Sequence, residues 1–377
     1  MKVSCLQENL AKGLSIVSRA VASRSTLPVL SNVLIATDQS RLRLSATNLE
    51  LAITCWIGAK VEEEGSTTVP AKTFIDIVNA LPLGPVDMGL NVRTQSLNVS
   101  GGHFVNDVKC IDAQEFPIIP QADLANGINL NVADLRQMID QVAFAAATDD
   151  ARPILTGVLV KVDGGSVTFA ATDGFRLSVR SAHLSAPVVE PVTAIVPARA
   201  LAELGRVAGD QEEAAMMTLP PGRGQVIFHL KDVELVSQLI EGTFPDYTHI
   251  IPRSYTTRTV MTTEAFRKAC KAADIFAREN AHTARFKIVP GGELQPGTLE
   301  ITAQAAETGS NEAKLDATIE GNGLEIAFNV KYLADVLNVM HTSNVALETT
   351  AATSPGVVRP VGEDDFLYVV MPMRIGK

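Results

Sequence analysis

The chain repeats itself along its own length. Leu44-Ser45-Ala46-Thr47-Asn48 returns as Phe169-Ala170-Ala171-Thr172-Asp173, and more weakly as Ile301-Thr302-Ala303-Gln304-Ala305. Val69-Pro70-Ala71-Lys72 returns as Val196-Pro197-Ala198-Arg199 and as Phe328-Asn329-Val330-Lys331. Leu27-Pro28-Val29-Leu30 has its counterpart in Arg152-Pro153-Ile154-Leu155. The second copy is offset from the first by 125 to 127 positions and the third follows at 131 or 132. A repeat this long is a whole domain rather than a solenoid turn. Its boundaries are expected near residues 122 and 254, where Phe116-Pro117-Ile118-Ile119-Pro120 and Phe244-Pro245 through Pro252-Arg253 read as extended, proline-bounded linkers. The expected domains are 1–122, 123–254 and 255–377.

Each copy divides again. Six helix starts, near Leu6, Pro70, Val132, Pro197, Thr263 and Asn329, are spaced 62 to 66 residues apart. Helical period shows in Leu10, Leu14, Val17 and Val21, and in Leu135, Met138, Ile139 and Val142. Pro70 and Pro197 suit a first helical turn, where a missing N–H costs nothing, and Asn329 suits an N-cap. Between helices the pattern alternates, as in Arg41-Leu42-Arg43-Leu44, with hairpin signals at Asp163-Gly164-Gly165 and Pro290-Gly291-Gly292. The expectation is an α+β class: similar domains, each with two helices packed on antiparallel sheets.

Composition excludes more than it identifies. With 46% hydrophobic and 20% charged residues the chain is of ordinary globular type. No stretch reaches the roughly 20 apolar residues that cross a bilayer, and Met1-Lys2-Val3-Ser4-Cys5 lacks the marks of a signal peptide. A cytoplasmic protein without membrane association is expected. Cys5, Cys55, Cys110 and Cys270 are expected to be buried and reduced, and neither they nor the six histidines have metal-ligand spacing. No cofactor or metal is expected. The phosphate-binding, nucleophile-elbow and dinucleotide motifs of enzymes are missing, and Asp149 and Asp150, as neighbours, face apart in an extended segment.

The net charge of −10 argues against simple wrapping on nucleic acid. Its distribution is uneven. The six helix segments carry eleven basic residues (Lys12, Arg19, Lys72, Arg136, Arg199, Arg206, Arg267, Lys268, Lys271, Arg278 and Lys331) against nine acidic ones. The helices are thus the least acidic part, a pattern that fits a phosphate-facing channel and a solvated face equally well.

Several longer motifs, taken in order, carry a resemblance. They are Leu27-Pro28-Val29-Leu30, Thr68-Val69-Pro70-Ala71-Lys72, Ala171-Thr172-Asp173-Gly174-Phe175-Arg176-Leu177, Gly242-Thr243-Phe244-Pro245-Asp246-Tyr247, Phe328-Asn329-Val330 and Tyr368-Val369-Val370-Met371-Pro372-Met373-Arg374. Over its full length the chain resembles the bacterial DNA polymerase III beta subunit family, the sliding clamps. The resemblance implies the DNA-clamp fold. In it, three-domain crescents join head to tail as a homodimeric ring, a heterologous contact that closes. The ring threads duplex DNA without reading sequence, performs no catalysis, and confers processivity by raising effective concentration. Implied partners are the DNA polymerase III alpha subunit, the clamp loader, and other polymerases and repair proteins bearing short peptide motifs.

The same resemblance assigns residues. DNA contact falls to Arg24, to Arg152 in the matching loop of the second copy, and to the helix cations Lys12, Arg19, Lys72, Arg136, Arg199, Arg206, Lys268, Lys271 and Lys331. A peptide groove would comprise Leu155, Thr172, Gly174, Phe175, Arg176, Leu177, Pro245, His249, Ile250, Asn329, Tyr332, Val369, Met371, Pro372, Met373 and Arg374. There Leu, Val and Met would seat apolar anchors, Pro372 would leave an edge carbonyl open, and Arg176 and Arg374 would hold a peptide's polar end. By pattern alone Tyr368–Arg374 fits a closing strand equally well. The ring interface would use Val108 and its neighbours against Ile275 and Phe276, a pair that also suits a core. Phe175, His249, Ala281 and the acidic Asp149-Asp150 depart from the family pattern, and the chain runs on to Ile375-Gly376-Lys377. Two rivals stand beside this reading: a repeat scaffold that binds peptides without encircling DNA, and a specialised clamp paralogue.

Overall fold

A computed structural model describes residues 1–123, 125, 127–209, 213–292 and 295–374; Ile375, Gly376 and Lys377 lie outside the described residues. Two compact units are present, one of residues 1–133 with 200–239, the other of residues 134–199 with 240–377. All six helices occur at the anticipated places: α1 (Gln7–Val17), α2 (Ala71–Ala80), α3 (Val132–Val142), α4 (Ala198–Ala208), α5 (Thr263–Ala277) and α6 (Val330–Asn338). Pro70 is the N-cap of α2 and the last residue of strand Ser66–Pro70, one position earlier than expected. Pro197 likewise closes strand Val192–Pro197 just ahead of α4. The ladder, not the helix, absorbs each missing N–H. Asn329 caps α6 as expected, its side chain accepting from the N–H groups of Lys331 and Tyr332. In α1, Leu10, Leu14 and Val17 are fully buried. Val21 does not continue the helix, because a short 3₁₀ turn at Ser18–Ala20 ends it and Val21 is extended. Gly13 stands within α1 for a packing reason: a Cβ there would lie 2.8 Å from Leu44 Cδ1.

Each unit is built on one antiparallel sheet of 12 strands among the described residues. In the first unit, strand Leu51–Glu63 joins two repeats. On one side it pairs with Arg41–Thr47. On the other, Ala59–Glu63 pair with the opening strand Lys2–Leu6, and Leu51–Cys55 pair with Val233–Gln238 of the next repeat. In the second unit, Arg176–His183 does the same, lying between Ser166–Thr172 and the closing strand Phe366–Val370. The registers correspond, with Leu51 opposite Ser237 and Arg176 opposite Val370.

Helices cover the sheets through apolar stripes. The core of residues 261–370 centres on Phe266, Phe286 and Phe328, packed edge to face at 6.4 and 5.5 Å. The Gly164-Gly165 turn forms as expected, with Asp163 opposite Ser166. The second linker is not extended throughout, since Ile250 N–H bonds Tyr247 O in a turn. All four cysteines are free. Burial pushes the Cys5 thiol up to about 12 and Cys55 to about 11. Cys110, just past the edge strand Phe104–Lys109, is only half-buried.

Phe328→Ala removes a fully buried ring and is expected to cost roughly 3–5 kcal/mol. Calorimetry should show the transition of its unit moved to lower temperature, whereas Val189→Ala, at 99% exposed, should leave it unchanged. Equal midpoints for the two variants would contradict this packing.

Candidate functional site

The groove residues gather around one turn. Thr172 Oγ1 donates to Arg176 O and accepts from Gly174 N–H, while Asp173 Oδ1 accepts from the N–H groups of Phe175 and Arg176. This side-chain-to-backbone network lets Gly174 sit at φ +94°, where a side chain is strained. Met371 N–H then donates to Phe175 O at 2.9 Å, and Met373 N–H to Ala327 O at 2.8 Å. Pro372 bridges Phe328. Residues 371–373 are therefore held on both sides through the N–H groups of Met371 and Met373.

Arg176 also departs from expectation. Its side chain is 10% exposed, and its donors are spent internally. Nε goes to Asp173 Oδ2 at 3.0 Å, Nη1 to Asp335 Oδ2 at 2.8 Å and Nη2 to Phe144 O at 2.9 Å. The Tyr332 ring lies 4.4 Å from its guanidinium carbon and the Phe144 ring 5.4 Å. Three of its five N–H groups thus tie the turn to α6 and to Phe144. Tyr368, buried beneath, donates its hydroxyl to Tyr332 O, and burial drives its pKa up.

Thr172, Leu177 and Val369 are buried and form the floor. Tyr247 and Ile251 of the linker, not anticipated from sequence, pack on Leu177 and Val369. Above the floor, Phe175 is 58% exposed and Ile250 and Met371 are each 38% exposed. Pro245, His249 and Arg374 are exposed, and Leu155, Asn329, Tyr332, Pro372 and Met373 half-buried. His249 Nε2 lies 3.1 Å from Asp246 Oδ2. Asp246, bonded by Thr248, is held below the usual carboxylate range. The surface thus offers adaptable apolar side chains over a rigid floor. Asp173, Asp335 and Phe144, which fix Arg176, were missed. The Thr-Asp-Gly turn signature was the available signal for the first of them.

Of the candidate DNA contacts, Arg136 is half-buried and the other ten are exposed. Lys12, Arg19 and Arg206 line one cavity of about 580 Å³ between α1 and α4. Glu203 moderates them, bonding Arg19 Nη1 at 3.1 Å and Arg206 Nη1 at 2.5 Å. Lys268 pairs with Glu264 at 2.7 Å across one turn of α5. Arg24, Lys72, Arg199, Lys271 and Lys331 stand exposed on their helices or loops. Arg152 is engaged elsewhere, with Nη2 on Asp149 at 2.7 Å and Nη1 on Asp173 O at 2.6 Å, so it braces the groove turn. Its hydrogen bond holds the Asp149 carboxyl below the ordinary range.

For the interface candidates, Ile275 is 59% exposed, while Val108 is 4% exposed and belongs to its own core. Phe276 packs against the core beside it. The exposed apolar residues on the Val108 strand are Phe104 and Val105, at 54% and 69%. Among the described residues no group of three His, Cys, Asp or Glu is placed to hold a metal ion. None of the described helices is long and apolar enough to cross a membrane.

Comparison with known proteins covers the whole chain. Residues 1–120, 129–246 and 248–374 match, respectively, the N-terminal, central and C-terminal domain models of the DNA polymerase III beta subunit. A beta sliding clamp from Synechocystis sp. is 34% identical over 396 residues, covering 100% of both chains. One from Staphylococcus aureus is 30% identical over 94% of each. Among solved structures, the DNA polymerase sliding clamp of Bacillus subtilis superposes with a TM-score of 0.93 at 27% identity. The DNA polymerase III subunit beta of Pseudomonas aeruginosa does so with 0.91 at 31%; both comparisons cover 100% of each chain.

Arg176→Ala would leave Asp173 and Asp335 facing each other near the floor. It is expected to cost about 3–5 kcal/mol. Arg152→Ala, whose ion pair is exposed, should cost far less. Denaturant unfolding of the two variants compares them, and equal losses would mean that the Arg176 network is not structural.

Proposed function

The chain belongs to the DNA polymerase III beta subunit family, and we propose that this sliding clamp of DNA replication encircles duplex DNA as a head-to-tail homodimer. It tethers the DNA polymerase III alpha subunit, the clamp loader and repair proteins through short peptides seated on the groove around Phe175, Ile250 and Met371. It is a processivity factor without a catalytic step of its own, acts in the cytoplasm, and divides into domains near residues 122 and 254.

The observation that carries the ring is a pairing used twice within the chain and left open a third time. The first two repeats each bond the closing strand of the next. In the third, the corresponding strand Gly309–Gly321 pairs over Gly309–Ala317 on one side only among the described residues. The closing strand of the first repeat, Phe104–Lys109, is likewise bonded only to Ser96–Gly101. One chain therefore offers both halves of the missing ladder, and a second copy supplies the complement. The internal register, carried across, sets Gly309 opposite Val108 and Ala313 opposite Phe104. It also sets Asn106 opposite Asn311, whose buried Oδ1 lacks a partner within the chain. In this reading the backbone of the Val108 strand, with Phe104 and Val105, makes the contact to Ile275 and Phe276.

The helix cations supply a weak attraction that ignores sequence, for Glu203 and Glu264 offset part of their charge. A topological link needs no more, and a weaker hold leaves the ring free to slide.

Loaded by an active clamp loader with ATP onto nicked circular DNA, the protein should remain bound until the circle is cut and then leave. Equal retention on linear and circular DNA, or none on either, would dismiss encirclement; a groove that still bound peptides would then mark a scaffold. In sedimentation, a Phe104→Asp, Val105→Asp variant should shift from dimer to monomer while Val189→Asp stays dimeric. A persistent dimer in the double variant would discard the edge pairing.

A further inference from the structure

The first two repeats build the same floor beneath their linkers but line it differently. In the second repeat, Leu159, Ala170, Val179 and Leu367 form an unbroken apolar cluster under Tyr247 and Ile251. In the first, the corresponding residues are Leu34, Ser45, Thr54 and Glu234; Ile119 still packs on Ala52, Ile227 and Val236, but the four line a cavity of about 400 Å³ beneath linker residues 116–121. The equivalence rests on register, since Ser45 pairs with Thr54 and Thr54 with Glu234, as Ala170 pairs with Val179 and Val179 with Leu367. A closed apolar packing has been exchanged for polar walls around a volume suited to a small ligand.

The walls specify its chemistry. Arg43, directly across the ladder from Trp56, has a buried Nε with no partner. Its nearest acid, Asp38, is 4.0 Å from Nη1 and already accepts from the indole N–H of Trp56 at 2.8 Å. Ser45 and Thr54 hydroxyls bond each other at 3.0 Å. Glu234 Oε1 accepts from Ala122 N–H at 2.9 Å and Oε2 faces His229 Nδ1 at 3.4 Å. Burial raises the Glu234 pKa. Trp56, Phe116, Pro117 and Pro120 add flat apolar walls, beside Leu34, Ile118, Ile119 and Gln121. The Arg43 guanidinium, which lines the cavity, matches a carboxylate, and the aromatic and proline walls match a ring.

We propose that this cavity binds a small aromatic carboxylate, its carboxylate on Arg43 and its ring between Trp56 and the linker. Trp56 is the only tryptophan of the chain, so its fluorescence reports the cavity directly. Titration of the full-length protein with 2-naphthoate should change that fluorescence saturably. Binding should be about tenfold or more tighter than for the neutral 2-naphthalenemethanol, the usual margin of a charge-assisted hydrogen bond. Arg43→Gln should abolish that difference. Soaked crystals should show the naphthoate carboxylate on Arg43. Equal binding of acid and alcohol, an unsaturable response, an unchanged preference in Arg43→Gln, or a cavity holding only water would each overturn the assignment.

Discussion

Backbone pairing between consecutive repeats is the constraint on which the rest depends. Leu51–Cys55 and Arg176–Arg180 each bond the closing strand of the next repeat, so adjoining repeats share one sheet where a flexible joint could have been. Buried main-chain groups must be bonded, and a one-residue slip would turn every core side chain to the wrong face. The pairing is entered the same way both times. Thr47 and Asn48 bond the backbone just as Thr172 and Asp173 do, and Gln238 N–H meets Glu50 O as Met371 N–H meets Phe175 O. Leu49 takes the left-handed conformation that Gly174 takes in the second copy. The groove is a consequence of this entry: the turn that starts the shared ladder also raises Phe175 beside Met371.

The third repeat has given up that device. Gln304 and Ala305 stand where the other copies have Thr and Asn or Asp, and the hairpin closes through Ala305 opposite Gly309. No further repeat follows within the described chain for the strand to bond. The same element thus serves as an internal joint twice and presents an edge once. An edge of this kind is a liability in a monomer and an interface in an assembly.

Divergence on a common frame also explains the electrostatics. Arg176 is spent on Asp173, Asp335 and Phe144 O, and its counterpart Leu51 needs none of these. Arg43, Ser45, Thr54 and Glu234 place polar chemistry where the second copy is apolar. In α4, Glu203 tempers Arg19 and Arg206, so basic helix faces coexist with a chain of net charge −10. Each change lies on side chains, leaving the ladder that unites the repeats untouched.

Whatever depends on near neighbours along the chain was legible without coordinates. The threefold repeat, the α+β class, the six helices, the Asn329 cap and the Gly164-Gly165 hairpin all follow from local spacing, capping and period. The resemblance of motifs added the clamp fold. What escaped the sequence concerns partners distant in it. Arg176 read as an available cation because Asp335, 159 positions away, completes its shell. On the strand of Val108, the sequence did not tell the exposed Phe104 and Val105 from the buried Val108. Periodicity records which face of an element is apolar. It does not record which remote donor or acceptor meets that face, because such encounters are set by how strands of different repeats align in three dimensions.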